Sequence, residues 1–277
     1  MEFENFEVKY EPQEQELLVL RHEGGGGSKH GDFWVASAYF LAYIDMKTDA
    51  LYKGDGRLVW PITDEEQKTG GCFGRFANET IYRVKARALL DRTVKPGMAE
   101  SFFNQFYVTE ILEKSAHNPI LEELLAEYQK PVVIQDDLLG KLTLNKQFSA
   151  FEGNISWLGH SVSIMLDVDK DNKGSWTKAK NAMRQMLEEQ DKWDNEMRNF
   201  AAQELTSLAN DWQTDDDANK PEITNQDFAK RIQLLEFSIT VGGSFSAYYS
   251  DDDMFWGHSV TVYGTLKSGI RSAQMEG

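Results

Sequence analysis

Residues 148–168 read Phe-Ser-Ala-Phe-Glu-Gly-Asn-Ile-Ser-Trp-Leu-Gly-His-Ser-Val-Ser-Ile-Met-Leu-Asp-Val. Residues 148–157 and 162–168 alternate around the short interruption Leu158-Gly159-His160, which predicts a β-hairpin with one buried face. Directly afterwards the period changes. Trp176, Ala179, Met183, Met186 and Leu187 recur at helical spacing, and Trp193, Met197, Phe200, Ala201, Leu205, Leu208 and Trp212 extend the pattern. One helix over 175–212 would be about 57 Å long at 1.5 Å per residue. That exceeds what a domain of this size needs, so the polar stretch 188–192 is the expected break or bend. Thr224 and Asp227 then stand at capping-box spacing for a short helix. Apolar runs over 232–241, 244–249 and 255–266 follow, separated by Gly242-Gly243 and the acidic 250–253. A hairpin, helices and a three-stranded meander predict an α+β sandwich, its antiparallel sheet of about five strands covered on one face by helices.

Upstream the grammar differs. Strand-like runs lie at 16–21, 33–44, 57–62, 72–76, 80–90 and 103–112, with turn signals at Gly54-Asp55-Gly56, Gly70-Gly71 and Pro96-Gly97. Five or six strands with no helices between them predict a small, mostly-β barrel, and an OB-like barrel is one candidate on strand count. A helix closes this unit: Asn118 is placed as N-cap, Pro119 as the first helical residue, and Ile120, Leu121, Leu124, Leu125 and Tyr128 form one stripe. Two domains are expected, 1–135 and 136–277, with 131–140 as a connection that can itself pair as a strand. Residues 24–28, Gly-Gly-Gly-Gly-Ser, read as a flexible native loop or an engineered linker, without chemistry in either case.

Within the second domain several motifs occur in a fixed order. They are Leu144-Asn145-Lys146, Phe151-Glu152-Gly153, the Trp157 hairpin, Leu166-Asp167-Val168-Asp169, the Trp193 helical region, Ala209-Asn210-Asp211-Trp212, an acidic run, Ile223-Thr224, and Phe255-Trp256-Gly257-His258-Ser259 before a valine-rich strand. Over about 139–277 this series resembles the bacterial domain-of-unknown-function family 2262. The resemblance implies no agreed activity and no catalytic residues to carry over.

Of 277 residues, 29 are Lys or Arg and 45 Asp or Glu, a net charge of −16. The balance is 15 basic against 22 acidic residues before residue 135 and 14 against 23 after it. A uniformly acidic chain repels phosphate backbones and anionic membranes, and it favours solubility or a basic protein partner. The longest apolar run, 34–44, falls short of the ~20 residues of a membrane span and is broken by Ser37. An acidic start, Met1-Glu2-Phe3-Glu4, is unlike a secretory signal. The single cysteine, Cys72, forms no intrachain disulfide and fits a reducing compartment. A cytoplasmic location is expected, with Cys72 as a small buried hydrophobe.

Candidate chemistry is sparse. Asp167, Asp169 and Asp171 have the first three ligand spacings of an EF-hand loop, but Asn172 and Lys178 stand where Gly and a bidentate Glu belong. The competing reading is an acidic turn preceding a helix. Asp215, Asp216 and Asp217, and then Asp251, Asp252 and Asp253, are further runs. If the fold gathers all three, they form a negative edge suited to a basic protein or a cation. His258 could act as a base oriented by an aspartate of 251–253, or pack beside Trp256 as a satisfied imidazole. Arg83, Lys85 and Arg87 share one strand face, either a nucleic-acid stripe or the cross-strand partners of Glu110 and Glu113. No phosphate-binding glycine loop, nucleophile elbow or metal-binding Cys/His pattern occurs, so no cofactor is expected. The leading expectation is non-catalytic binding of a basic macromolecule through the acidic edge, immunity-like by analogy with small acidic bacterial domains. A metal-dependent hydrolase using the aspartates and His258 is the rival, and an oligonucleotide-binding barrel the third reading.

Overall fold

The computed structural model describes residues 6–213 and 221–277. The chain divides into two compact units, the first ending at Lys130 and the second beginning at Pro131. The first contains β1 (Gln15–His30), β2 (Phe33–Asp45), β3 (Ala50–Ile62), α1 (Asp64–Lys68), β4 (Thr80–Ala88), β5 (Gln105–Lys114) and α2 (Pro119–Gln129). Its five strands close in the order β1-β2-β3-β5-β4. β1 pairs with both β2 and β4, and β3 runs parallel to β5, the arrangement of an OB-type Greek-key barrel.

Strand alternation fills the barrel. Tyr82, Val84, Ala86 and Ala88 of β4 point inward with Leu17, Val19, Phe40, Leu58, Trp60 and Phe106, while Arg83, Lys85 and Arg87 face out. Leu18, Leu20, Ala42, Ile44 and Ile81 face the other way and are covered by Leu121 of α2. That helix starts as its sequence dictates: Asn118 accepts from the backbone N–H groups of Ile120 and Leu121, and Pro119 takes the first turn.

Two expectations for this unit are corrected. Residues 72–76 form turns. Cys72 and Phe76 still enter the barrel core, each 2% exposed, but as plugs from a glycine-interrupted segment. The Gly24–Ser28 tract is part of β1, paired through Gly25↔Ala38, Gly26↔Ser37 and Gly27↔Ala36 beyond a bulge at Arg21. Close packing explains the glycines. A Cβ on Gly25 would lie 2.4 Å from the carbonyl oxygen of Ser37, and one on Gly27 2.3 Å from Cys72 Sγ.

The second unit contains β6 (Val133–Asp136), β7 (Gly140–Asn145), β8 (Ala150–Trp157), β9 (His160–Asp167), α3 (Lys173–Glu188), α4 (Gln190–Asp211), α5 (Asn225–Arg231), β10 (Gln233–Thr240), β11 (Ser244–Ser250), β12 (Ser259–Thr265) and β13 (Gly269–Glu276). They form one eight-stranded sheet in the order β13-β12-β11-β10-β9-β8-β7-β6, wider than the five strands expected. The sheet is mixed, because β9 and β10 are parallel. The helices between those strands supply the long crossover that parallel pairing requires. The helical run divides at Glu189, within the polar stretch where a break was expected, and Thr224 and Asp227 form the reciprocal capping box. Met183, Met186, Trp193, Met197, Ala201 and Leu205 pack on one sheet face over Phe151, Ile164, Phe237 and Phe245. No helix among the described residues is long and apolar enough to cross a membrane.

Candidate functional site

The turn between β11 and β12 holds the most unusual backbone of the second unit. Asp251 is buried, and one of its carboxylate oxygens accepts from the N–H groups of Phe255 at 2.8 Å and Gly257 at 3.1 Å. The other accepts from Asp253 N–H at 3.3 Å. A carboxylate satisfied by three backbone donors fixes the loop much as a helix cap does. It holds Asp252, Asp253 and Trp256 in the left-handed region, at φ 49°, 58° and 56°. Met254 and Phe255 anchor the loop in the core, whereas the Trp256 side of the turn is thrust outward, 64% exposed. Trp212, at the end of α4, supports it: ring centroids lie 5.0 Å from Trp256, 5.4 Å from His258 and 5.9 Å from Phe255. Arg231 of α5 braces the flank, donating to the Asp252 carboxylate and carbonyl at 2.7 Å each. The result is an exposed indole supported by Trp212, on a turn that also carries Asp252, Asp253 and His258.

His258 precedes β12, so strand alternation does not set the direction of its side chain. Its Nδ1 lies 2.7 Å from the Phe255 carbonyl. A carbonyl only accepts, so Nδ1 carries the proton in that contact. Asp251 is committed to backbone donors and does not orient the imidazole.

The aspartate runs are not gathered at one edge. Asp167 ends β9 opposite Thr240, the last residue of β10, whereas Ser250 pairs with Gln233, the first residue of β10. The turn holding Asp167, Asp169 and Asp171 therefore lies at one end of the strands and Asp251–253 at the other, about seven residues or ~23 Å apart. In the first turn Asp169 accepts from Asp171 N–H at 3.1 Å, and Ser175 Oγ lies 2.9 Å from Asp169 N. Asn172 caps α3. Burial pushes the Asp167 carboxyl above its ordinary value. Among the described residues no three His, Cys, Asp or Glu side chains gather as a metal-holding group. Asp215, Asp216 and Asp217 lie outside the described residues.

Residues 136–275 match the family model described as an uncharacterized protein conserved in bacteria, domain of unknown function 2262. The chain belongs to that family. Residues 2–128 match a second model, domain of unknown function 7021. No curated protein and no solved structure matches the chain.

Among the described residues of the family 2262 domain, the buried Asp136 and Asp194 hold ion pairs that pattern reading missed, because their members are distant in sequence or hidden on a helix. Asp136 of β6 accepts from Leu138 and Leu139 N–H and meets Lys180 at 3.3 Å and Arg184 at 2.8 Å on α3. Burial pushes its carboxyl up, but these donors and cations outweigh burial and hold it at about 2. Asp194 of α4 accepts from Trp157 Nε1 at 3.1 Å and Arg198 Nε at 2.6 Å, and Arg198 also donates to the Ala229 and Ile232 carbonyls. Each is tied into packing between strand and helix, so both serve the fold.

In the family 7021 segment the Arg83, Lys85 and Arg87 stripe is already paired. Arg83 bonds the Glu16 carboxylate, Lys85 meets Glu110 at 2.7 Å, and Arg87 donates to the Glu11 carbonyl at 2.6 Å. Lys85–Glu110 is the cross-strand pairing expected; Arg83 turns to Glu16 on β1 rather than to Glu113. Cys72 is buried with Sγ 2.6 Å from Gln67 Oε1, and burial raises its thiol above its ordinary value.

Proposed function

We propose that this chain is a non-catalytic binding protein whose family 2262 domain engages a basic protein partner through the Trp256 turn. The observation that carries this reading is the exposed Trp256, held at φ 56° by a buried carboxylate. A tryptophan in the left-handed region is energetically unfavourable, and such outliers concentrate where function requires them. Exposed tryptophan is also the residue type most enriched at the energetic centre of protein interfaces. The charge suits a cationic partner: Asp253 stands on the same turn, Asp252 shares its carboxylate with Arg231, and the chain has a net charge of −16. The reading replaces a single acidic edge with one end of the sheet, because Asp167 and its neighbours lie at the other.

The full chain and its Trp256→Ala variant, used as bait in lysate of the source bacterium at low and high salt, test it. A basic protein retained by the wild type, released by salt and lost with the substitution is expected. Identical capture by both baits, or capture insensitive to salt, would sink the reading.

A further inference from the structure

We propose that the groove on the outer face of β1, β2 and β3 binds a small organic anion carrying a flat ring, of the nucleoside monophosphate class. The groove is about 450 Å³, within the range of small-ligand sites. Its charge sets it apart. Lys9, His30 and Arg57 line it and no aspartate or glutamate does, although acidic residues outnumber basic ones on the chain as a whole. A second cavity on the same unit shows the more ordinary case, with Glu11, Glu14, Glu16 and Asp45 in its wall.

Arg57 is the centre of the groove. Its guanidinium stacks 3.7 Å from the Phe102 ring centroid and 4.9 Å from that of Tyr39, which fixes its plane. Its Nε is buried without a hydrogen-bond acceptor, the Tyr39 hydroxyl bonds the guanidinium, and among the described residues no carboxylate pairs with the group. A guanidinium with no carboxylate partner among the described residues offers an anion the opposite charge and its remaining N–H groups. Lys9, exposed on the same groove, adds a second cation.

The floor is built for close approach. Gly25 and Gly27 are locked against Ser37 and Cys72, whereas a Cβ on Gly26, between them, would meet nothing within 4 Å. Alternation turns Gly26 to the open side, so a ligand can lie directly on the backbone there. Ser28 and Ser37 add hydroxyls, and Val35, Val59 and the half-exposed Phe102 add an apolar surface matching a flat ring. A compact ligand suits the site better than a polymer: the rest of this unit is acidic and the Arg83, Lys85 and Arg87 stripe is already paired.

Isothermal titration of the full chain with adenosine monophosphate, adenosine, inorganic phosphate and a thymidine decamer tests the proposal. Adenosine monophosphate is expected to bind more tightly than adenosine or phosphate, with Arg57→Gln weakening it about tenfold or more, the loss of one charge-assisted contact. Gly26→Val fills open space rather than the core, so it is expected to keep the wild-type melting temperature while blocking the ligand. No heat from adenosine monophosphate at millimolar concentration overturns the proposal, as does binding unchanged in both variants. Adenosine binding as well as its monophosphate removes the anion's role, and phosphate alone binding equally removes the ring's. Decamer binding tighter than the mononucleotide and dependent on Arg57 replaces the small ligand with single-stranded nucleic acid.

Discussion

The indole Nε1 of Trp157 donates to a carboxylate oxygen of Asp194 at 3.1 Å, joining the β8–β9 hairpin to the helix that covers it. Both residues are buried, and the second carboxylate oxygen holds Arg198 at 2.6 Å. Asp194→Ala would strand a buried indole N–H and a partly buried guanidinium together. Removing one member of a buried pair typically costs about 3–5 kcal/mol. The expected result is a loss of that size in urea unfolding of the second unit. A change below about 1 kcal/mol, the range of exposed pairs, would show that Arg198 and Trp157 find other partners.

Asp136 makes the stability of the same unit depend on acid. Its side chain is 1% exposed and its carboxyl is held at about 2, against an ordinary value of 3.8. A depressed carboxyl stabilises the fold above its unfolded value, so the contribution is full above about pH 5 and is lost as pH falls from about 4 towards 2. The shift corresponds to roughly 2 kcal/mol at 1.36 kcal/mol per pH unit. Asp136→Asn should lower the melting temperature at pH 7 and narrow its gap from wild type by pH 2.5. A gap constant across that range would mean that the ion pairs with Lys180 and Arg184 do not tune the carboxyl.

The glycine tract yields a test that separates side-chain crowding from backbone crowding. Gly27→Ala drives a methyl into Cys72 Sγ, and overpacking of this kind costs about 1–3 kcal/mol. Cys72→Ala removes the obstructing sulfur, so the double variant is expected to recover much of that loss. Gly25→Ala meets the Ser37 carbonyl instead, and no side-chain change relieves it. Additive effects of the Gly27 and Cys72 substitutions would contradict the packing described.

Local signals were legible wherever the determining partners are near in sequence. Asn118 before Pro119, the Thr224–Asp227 box, the polar break at Glu189 and the alternation of 150–157 against 160–167 all depend on neighbours within one or two turns. Five or six strand-like runs of uneven length, with no helices between them, likewise announced the barrel. What escaped notice depends on distant contacts. Gly25 and Gly27 resemble a linker until Ser37 and Cys72 are brought against them. The parallel β9–β10 pair joins residues more than seventy positions apart, and it alone decides that the two aspartate turns lie at opposite ends. Arg57 gave no periodic signal, because its significance lies in its stacking on Tyr39 and on the distant Phe102.

Trp256 offers the most direct check on the interaction site. An L-residue in the left-handed region costs roughly 1–2 kcal/mol, and glycine escapes that penalty while bringing its own entropic cost in the unfolded chain. Because the indole is largely exposed, removing it should cost the fold little. Trp256→Gly is therefore expected to be more stable than Trp256→Ala by about 1 kcal/mol in chemical denaturation. Both variants should lose partner capture equally, since both lack the indole. Equal stability of the two would mean that the turn relaxes once the indole is gone, and that Asp251 does not impose the backbone at 256. Retained capture by either would mean that the strained tryptophan serves only the fold.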